Sequence, residues 1–147
     1  MVMRTVFVRG SIAANTGHNH GAYPIFTLKA ESMPILKSSR DLVDEAMEEI
    51  RTYTVADVLP RLNDPQTQLV DIRDIRELAH GTVVGAFHAP RGMLEFWVDP
   101  ASPYYKPIFG DESKEYILFC GAGWRSALTA KALQDMGMTN VAHIDGG

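Results

Sequence analysis

The stretch Tyr116-Ile117-Leu118-Phe119-Cys120-Gly121-Ala122-Gly123-Trp124-Arg125-Ser126-Ala127-Leu128 joins a short apolar run to a cysteine, a glycine-rich loop, an arginine and the start of a helix. An apolar run of this length reads as a buried strand. The order therefore places a thiol at a strand tip, facing a helix N-terminus. Unpaired backbone N–H groups and the helix dipole favour an anion there. A thiolate is such an anion, and a cysteine in this setting has a lowered pKa and a nucleophile available near neutral pH. A cysteine that only fills the core needs neither two flanking glycines nor an arginine beside it. The helix is expected to run over 126–136, with Leu128, Ala132 and Met136 spaced by four and Gly137 as its stop.

Working outward, residues 141–144 form another apolar run, and so do 69–72 and 83–88, the last closed by Pro90. Helical spacing joins Leu42, Val43, Ala46, Met47 and Ile50, with Ser38 or Ser39 as the cap. Thr54 followed by Asp57 forms a capping-box pattern that opens a second helix, which Pro60 shortens or kinks. A helical turn over 74–79 ends at Gly81, and 91–98 reads as helix. Strands alternating with helices predict an α/β fold, a parallel sheet with helices on both faces. Ligand sites in such sheets lie at the carboxyl ends of the strands. Cys120 and Asp71 both sit at such ends and are expected to be neighbours.

Residues 1–38 differ from the rest. A short strand is expected at 5–8, and a polar, turn-rich segment follows through Asn15-Thr16-Gly17-His18-Asn19-His20-Gly21. This stretch reads as an N-terminal arm without its own core. His18 and His20 alone make a loose metal site, so neither metal nor cofactor is called for. The 147 residues are 46% hydrophobic and 22% charged, enough for one domain with a core. A net charge of −4 provides no basic field for nucleic acid or an anionic membrane. A single cysteine excludes an internal disulfide. The N-terminus lacks a signal-peptide core and no run reaches membrane-spanning length, so a cytoplasmic protein is the expectation.

A thiolate cupped by backbone N–H groups suits attack on phosphorus or on a sulfane sulfur. The cysteine phosphatase loop is Cys-x5-Arg, whereas Cys120 to Arg125 is Cys-x4-Arg. The smaller ring suits one added sulfur atom better than a phosphoryl group.

The segment from Cys120 to Ala127 resembles the active-site loop of the rhodanese family, the thiosulfate and related sulfurtransferases. Upstream, Leu69-Val70-Asp71-Ile72-Arg73, Glu77, Gly81, Gly85-Ala86-Phe87-His88 and Pro90 resemble the family's other signature in order and spacing. Residues 141–147 resemble the strand and glycine pair that follow the catalytic helix. The resemblance covers about 54–147, and it implies a rhodanese-like domain over 39–147. In it Cys120 would be the nucleophile and persulfide carrier. The N–H groups of Gly121, Ala122, Gly123, Trp124 and Arg125 would hold the transferred sulfur, and Arg125 would attract an anionic donor. Asp71, Arg73 and Ser126 would support the loop, with an Arg73–Glu77 ion pair as the plain alternative for Arg73. Trp124 would shape access or pack on the surface. The substrates implied are a small-molecule sulfur donor, such as thiosulfate or a persulfide, and a thiol or cyanide acceptor. A non-catalytic module of the same fold is the alternative, against which the intact Cys120, Gly121, Gly123 and Arg125 argue.

Two departures stand out. Thr82 occupies the place of a histidine common in the family, and His80 lies one position away from it. The chain also stops at Gly147, where the family continues into a further helix. One sheet face is therefore expected to lack part of its cover. The residues before Asp41, or self-association as a homodimer, are expected to supply it.

Overall fold

The apolar runs become the inner strands of one parallel sheet. The computed structural model describes residues 34–147. The strand expected at 5–8, the arm up to residue 33 and both His18 and His20 lie outside the described residues. The strands are β1 (Arg51–Tyr53), β2 (Thr67–Asp71), β3 (Phe87–His88), β4 (Glu115–Phe119) and β5 (Val141–Ile144). Their order is β1-β5-β4-β2-β3, and every pairing is parallel. Strand β4 lies at the centre, with Val70 beside Leu118, Asp71 beside Phe119, and His143 beside Leu118 on the other flank. Tyr116, Ile117 and Leu118 are completely buried. Burying each of the two aliphatic side chains is worth roughly 1.5–3 kcal/mol, which explains why this run sits in the middle.

Helices cover both faces, as expected, but unequally. Helices α1 (Ser39–Glu49), α3 (Leu94–Val98) and α4 (Trp124–Asp135) share one face. There Val43, Leu94, Ala127, Ala130 and Leu133 pack with Val70, Leu118 and Val141 of the sheet. The other face carries Leu69, Ile117, Phe119, Ala142 and Ile144. Among the described residues its helical cover is α2 (Val55–Val58) and the 3-10 turn Leu59–Arg61, where Pro60 tightens the coil. Val55 and Leu59 stay about half exposed there.

The caps follow the sequence. Ser38 and Asp41 exchange hydrogen bonds in a capping box at α1, and Thr54 and Asp57 do the same at α2. Two expectations need correction. Residues 83–88 do not form one strand: Gly85 adopts a φ of +81°, Ala86 N–H donates to the Val83 carbonyl in a turn, and only Phe87–His88 pairs with β2. In addition, β1 was not anticipated. It is a three-residue edge strand that starts where α1 ends.

Candidate active site

Strand β4 delivers Cys120 to the carboxyl edge of the sheet, and α4 begins four residues later. The turn between them is closed by Gly123, whose φ of +89° lies in the left-handed region. A Cβ there would come within 2.9 Å of the Gly146 backbone nitrogen, so the end of β5 also demands glycine. The fold thereby aims the Gly123 N–H at Cys120 Sγ, 3.2 Å away. Cys120 is 3% exposed, while Gly121 and Ala122 lie open to solvent above it.

Opposing effects act on the thiol. Burial pushes it up, but the N–H groups of Ala122, Ser126 and Gly123, with the Ser126 hydroxyl, favour the thiolate and leave it below its ordinary value. Ser126 is fully buried, with its Oγ 3.8 Å from Sγ and 2.9 Å from the Gly123 carbonyl.

Arg125 belongs to the first turn of α4. Its two terminal nitrogens donate to both carboxylate oxygens of Glu77, at 2.7 and 2.9 Å. This fork-to-fork pair raises the guanidinium, with the neighbouring Cys120 adding to the effect, and lowers the Glu77 carboxyl to about 2. The Arg73–Glu77 pair weighed from sequence is not formed. Arg73 instead grips Asp71, Nε to Oδ1 at 2.9 Å and Nη2 to Oδ2 at 2.7 Å, and also donates to the Gly81 carbonyl at 2.8 Å. Asp71 is almost wholly buried, so its partner offsets the cost of desolvating a carboxylate.

These contacts form a brace. The 3-10 segment Ile75–His80 carries Glu77 and is tied at its start by the Asp74–Glu77 capping box. Arg73 ties its end through Gly81, and the His88 ring contacts the Arg73 carbonyl at 2.8 Å. The segment thus presents Glu77 rigidly to Arg125. Trp124 is 45% exposed at the crest of the loop, with the Arg40 guanidinium 5.4 Å from the ring centre. Asp71 and Cys120 lie at adjacent strand ends, linked by the Ile72 N–H to the Phe119 carbonyl at 3.1 Å. Two polar residues at this site escaped the sequence reading. His143 on β5 contacts Ser126 Oγ through Nδ1 at 3.2 Å, and Thr52 on β1 through Nε2 at 3.0 Å. The signal available was a histidine inside an otherwise apolar strand run.

The family model for the Rhodanese-like domain matches residues 54–147. A solved structure from Rhodopseudomonas palustris, described as a protein of unknown function and possible tyrosine phosphatase, is 47% identical with a TM-score of 0.73. The match covers 78% of this chain and 89% of that one. A Shewanella frigidimarina protein named tRNA sulfurtransferase is 28% identical over 116 residues, 72% of this chain. This chain spans 23% of that relative's length. A Bacillus subtilis protein named as a putative sulfurtransferase is 27% identical over 100 residues, covering 67% of this chain and 87% of its own.

Proposed function

Because this chain belongs to the rhodanese-like family, we propose that it is a sulfurtransferase that carries sulfane sulfur on Cys120. The Cys120 thiolate attacks the outer sulfur of thiosulfate or a persulfide. The S–S bond of the donor breaks, and sulfite or a thiolate leaves with the electron pair. The resulting cysteine persulfide then yields its terminal sulfur to cyanide or a thiol, and the Cys120 thiolate is regenerated. The observation that carries this reading is the convergence of the loop on Sγ, with the Gly123 N–H 3.2 Å away and the first turn of α4 behind it.

The N–H groups of Ala122 and Gly123 favour the anion at Sγ, and in this reading those of Gly121, Trp124 and Arg125 join them in holding a terminal sulfur anion. Arg125 contributes a positive charge beside that anion and shares it with Glu77. Asp71 and Arg73 act at one remove, by holding the segment that carries Glu77. Trp124 borders the open side through which a donor enters. A small acceptor fits this protein better than a polyanionic one, since its net charge is −4.

The description of the Rhodopseudomonas palustris relative motivates a phosphatase as the second reading. One feature disfavours it: the loop is one residue shorter than Cys-x5-Arg. Cys120→Ser decides the mechanism, because the chain has no second cysteine. Thiosulfate-to-cyanide transfer is expected to vanish in a folded variant. Retained transfer would overturn the persulfide mechanism, and aryl phosphate hydrolysis at a comparable rate by the parent protein would favour the phosphatase.

A further inference from the structure

His143 occupies a place in the sheet that an apolar residue would fill at lower cost. It is fully buried on β5, on the face covered by α4, in register with Leu118 on one side and Thr52 on the other. A buried imidazole is tolerated only when both ring nitrogens are satisfied. Here they are satisfied by Thr52 Oγ1 and Ser126 Oγ, and Ser126 is the residue whose hydroxyl borders Cys120 Sγ.

The proton inventory of this chain fixes its direction. The Gly123 carbonyl can only accept, so at 2.9 Å the Ser126 hydroxyl donates to it. Ser126 Oγ then accepts from its other neighbours. His143 therefore carries its proton on Nδ1 and donates to Ser126, while Nε2 accepts from the Thr52 hydroxyl. Burial favours this neutral ring, and Asp145 beside it opposes that only in part. In the thiol state Cys120 S–H also donates to Ser126 Oγ. Once the sulfur is an anion it can only accept, and the hydroxyl that served the Gly123 carbonyl is a further donor within reach beside the loop N–H groups.

We propose that His143 is a positioning residue for the reactive thiol. Its Nδ1–H occupies one lone pair of Ser126 Oγ, so that the hydroxyl proton turns between the Gly123 carbonyl and Cys120 Sγ as the sulfur changes charge. Without that N–H, the lone pair on Ser126 is left unfilled in a dry site. The arrangement with Cys120 S–H donating into it is then favoured, and the thiolate loses ground. The other charged or titratable groups around the thiol are Arg125 and Glu77 on the loop side and the Asp71–Arg73 pair with His88 at the ends of β2 and β3. Glu77, held near 2, and Arg125, held above its ordinary value, keep their charges while a thiol titrates.

This inference rests on the reading of Cys120 as the nucleophile. Its test reads the thiol alone, so a protein without sulfurtransferase activity still decides it. The rate of Cys120 alkylation by iodoacetamide is measured against pH. His143→Leu is expected to raise the midpoint by about 0.5–1 pH unit and to slow alkylation at pH 6.5 about three- to tenfold. His143→Asn, which keeps an N–H near the Nδ1 position, is expected to restore most of the loss. In a Ser126→Ala background, His143→Leu is expected to add nothing. Equal midpoints in the parent and His143→Leu, or an undiminished effect without Ser126, would overturn the proposal. Nitrogen NMR of the parent protein gives a second check that needs no variant. It should show His143 protonated at Nδ1, with ring shifts that follow the Cys120 titration. Protonation at Nε2, or shifts indifferent to that titration, would overturn it equally.

Discussion

Replacing Gly123 by alanine tests the link between backbone conformation and thiol chemistry. The added Cβ would stand 2.9 Å from Gly146 N and 3.1 Å from both Asp145 Cα and the Ile144 carbonyl oxygen, all main-chain atoms that cannot swing aside. The φ of +89° costs an L-residue about 1–2 kcal/mol. Overpacking against backbone adds about 1–3 kcal/mol. The sum, roughly 2–5 kcal/mol, is a large part of the ~5–15 kcal/mol that holds a domain together. At roughly 4 °C per kcal/mol, the melting temperature should fall by about 8–20 °C. The same change displaces the N–H that donates to Cys120 Sγ, so the thiol midpoint should rise as well. Gly121→Ala is the internal control. Its Cβ would meet only the Arg125 guanidinium at 3.5 Å, an ordinary contact, and its φ is not in the left-handed region. That variant should stay within about 0.5 kcal/mol, or some 2 °C, of the parent. Thermal melts followed by circular dichroism, with alkylation rates on the same samples, give both readouts. A Gly123→Ala protein melting within about 2 °C of the parent, or equal losses in the two variants, would refute the reasoning.

Two further outcomes follow from the charges at the site. Alkylation of Cys120, the sole thiol, should reach half its maximal rate below the ~8.5 of a free cysteine, because the loop donors outweigh burial; a midpoint at or above that value would show that burial prevails. Glu77 is held at about 2 by Arg125, so the stability it contributes is fully present above its ordinary 4.5 and is lost as pH falls towards 2. The melting temperatures of the parent and Glu77→Gln should therefore converge between pH 4.5 and 2, and a constant difference across that window would deny the Glu77–Arg125 pair its role.

The parts of this protein that were legible from sequence are those specified locally. The apolar runs became β2, β4 and β5, Ser38, one of the two expected caps, opened α1, the Thr54–Asp57 capping box opened α2, and Gly137 ended α4 with a φ of +102°. Each rests on a pattern a few residues long. Strand β1 was missed because Arg51-Thr52-Tyr53 lies at the sheet edge, half open to water, and carries no apolar alternation. The 83–88 run failed as a strand because Gly85 turns the chain, which a count of apolar residues does not register. The loop around Cys120 was legible because its glycines, cysteine and arginine are contiguous. Its brace was not. Arg73 and Glu77 are four apart, a spacing that pairs side chains only within a helix. Arg73 instead precedes the 3-10 segment and turns back to Asp71, which leaves Glu77 for Arg125, 48 residues away. His143 escaped for the same reason, since its partners come from β1 and α4.

The most direct test of the central claim is the intact mass of the protein after incubation with thiosulfate and removal of excess donor. A gain of one sulfur atom is expected, absent in Cys120→Ser and lost when cyanide is added. An unchanged mass under conditions where Cys120 is alkylated readily would contradict it, since a reactive thiol that takes no sulfur is not a persulfide carrier.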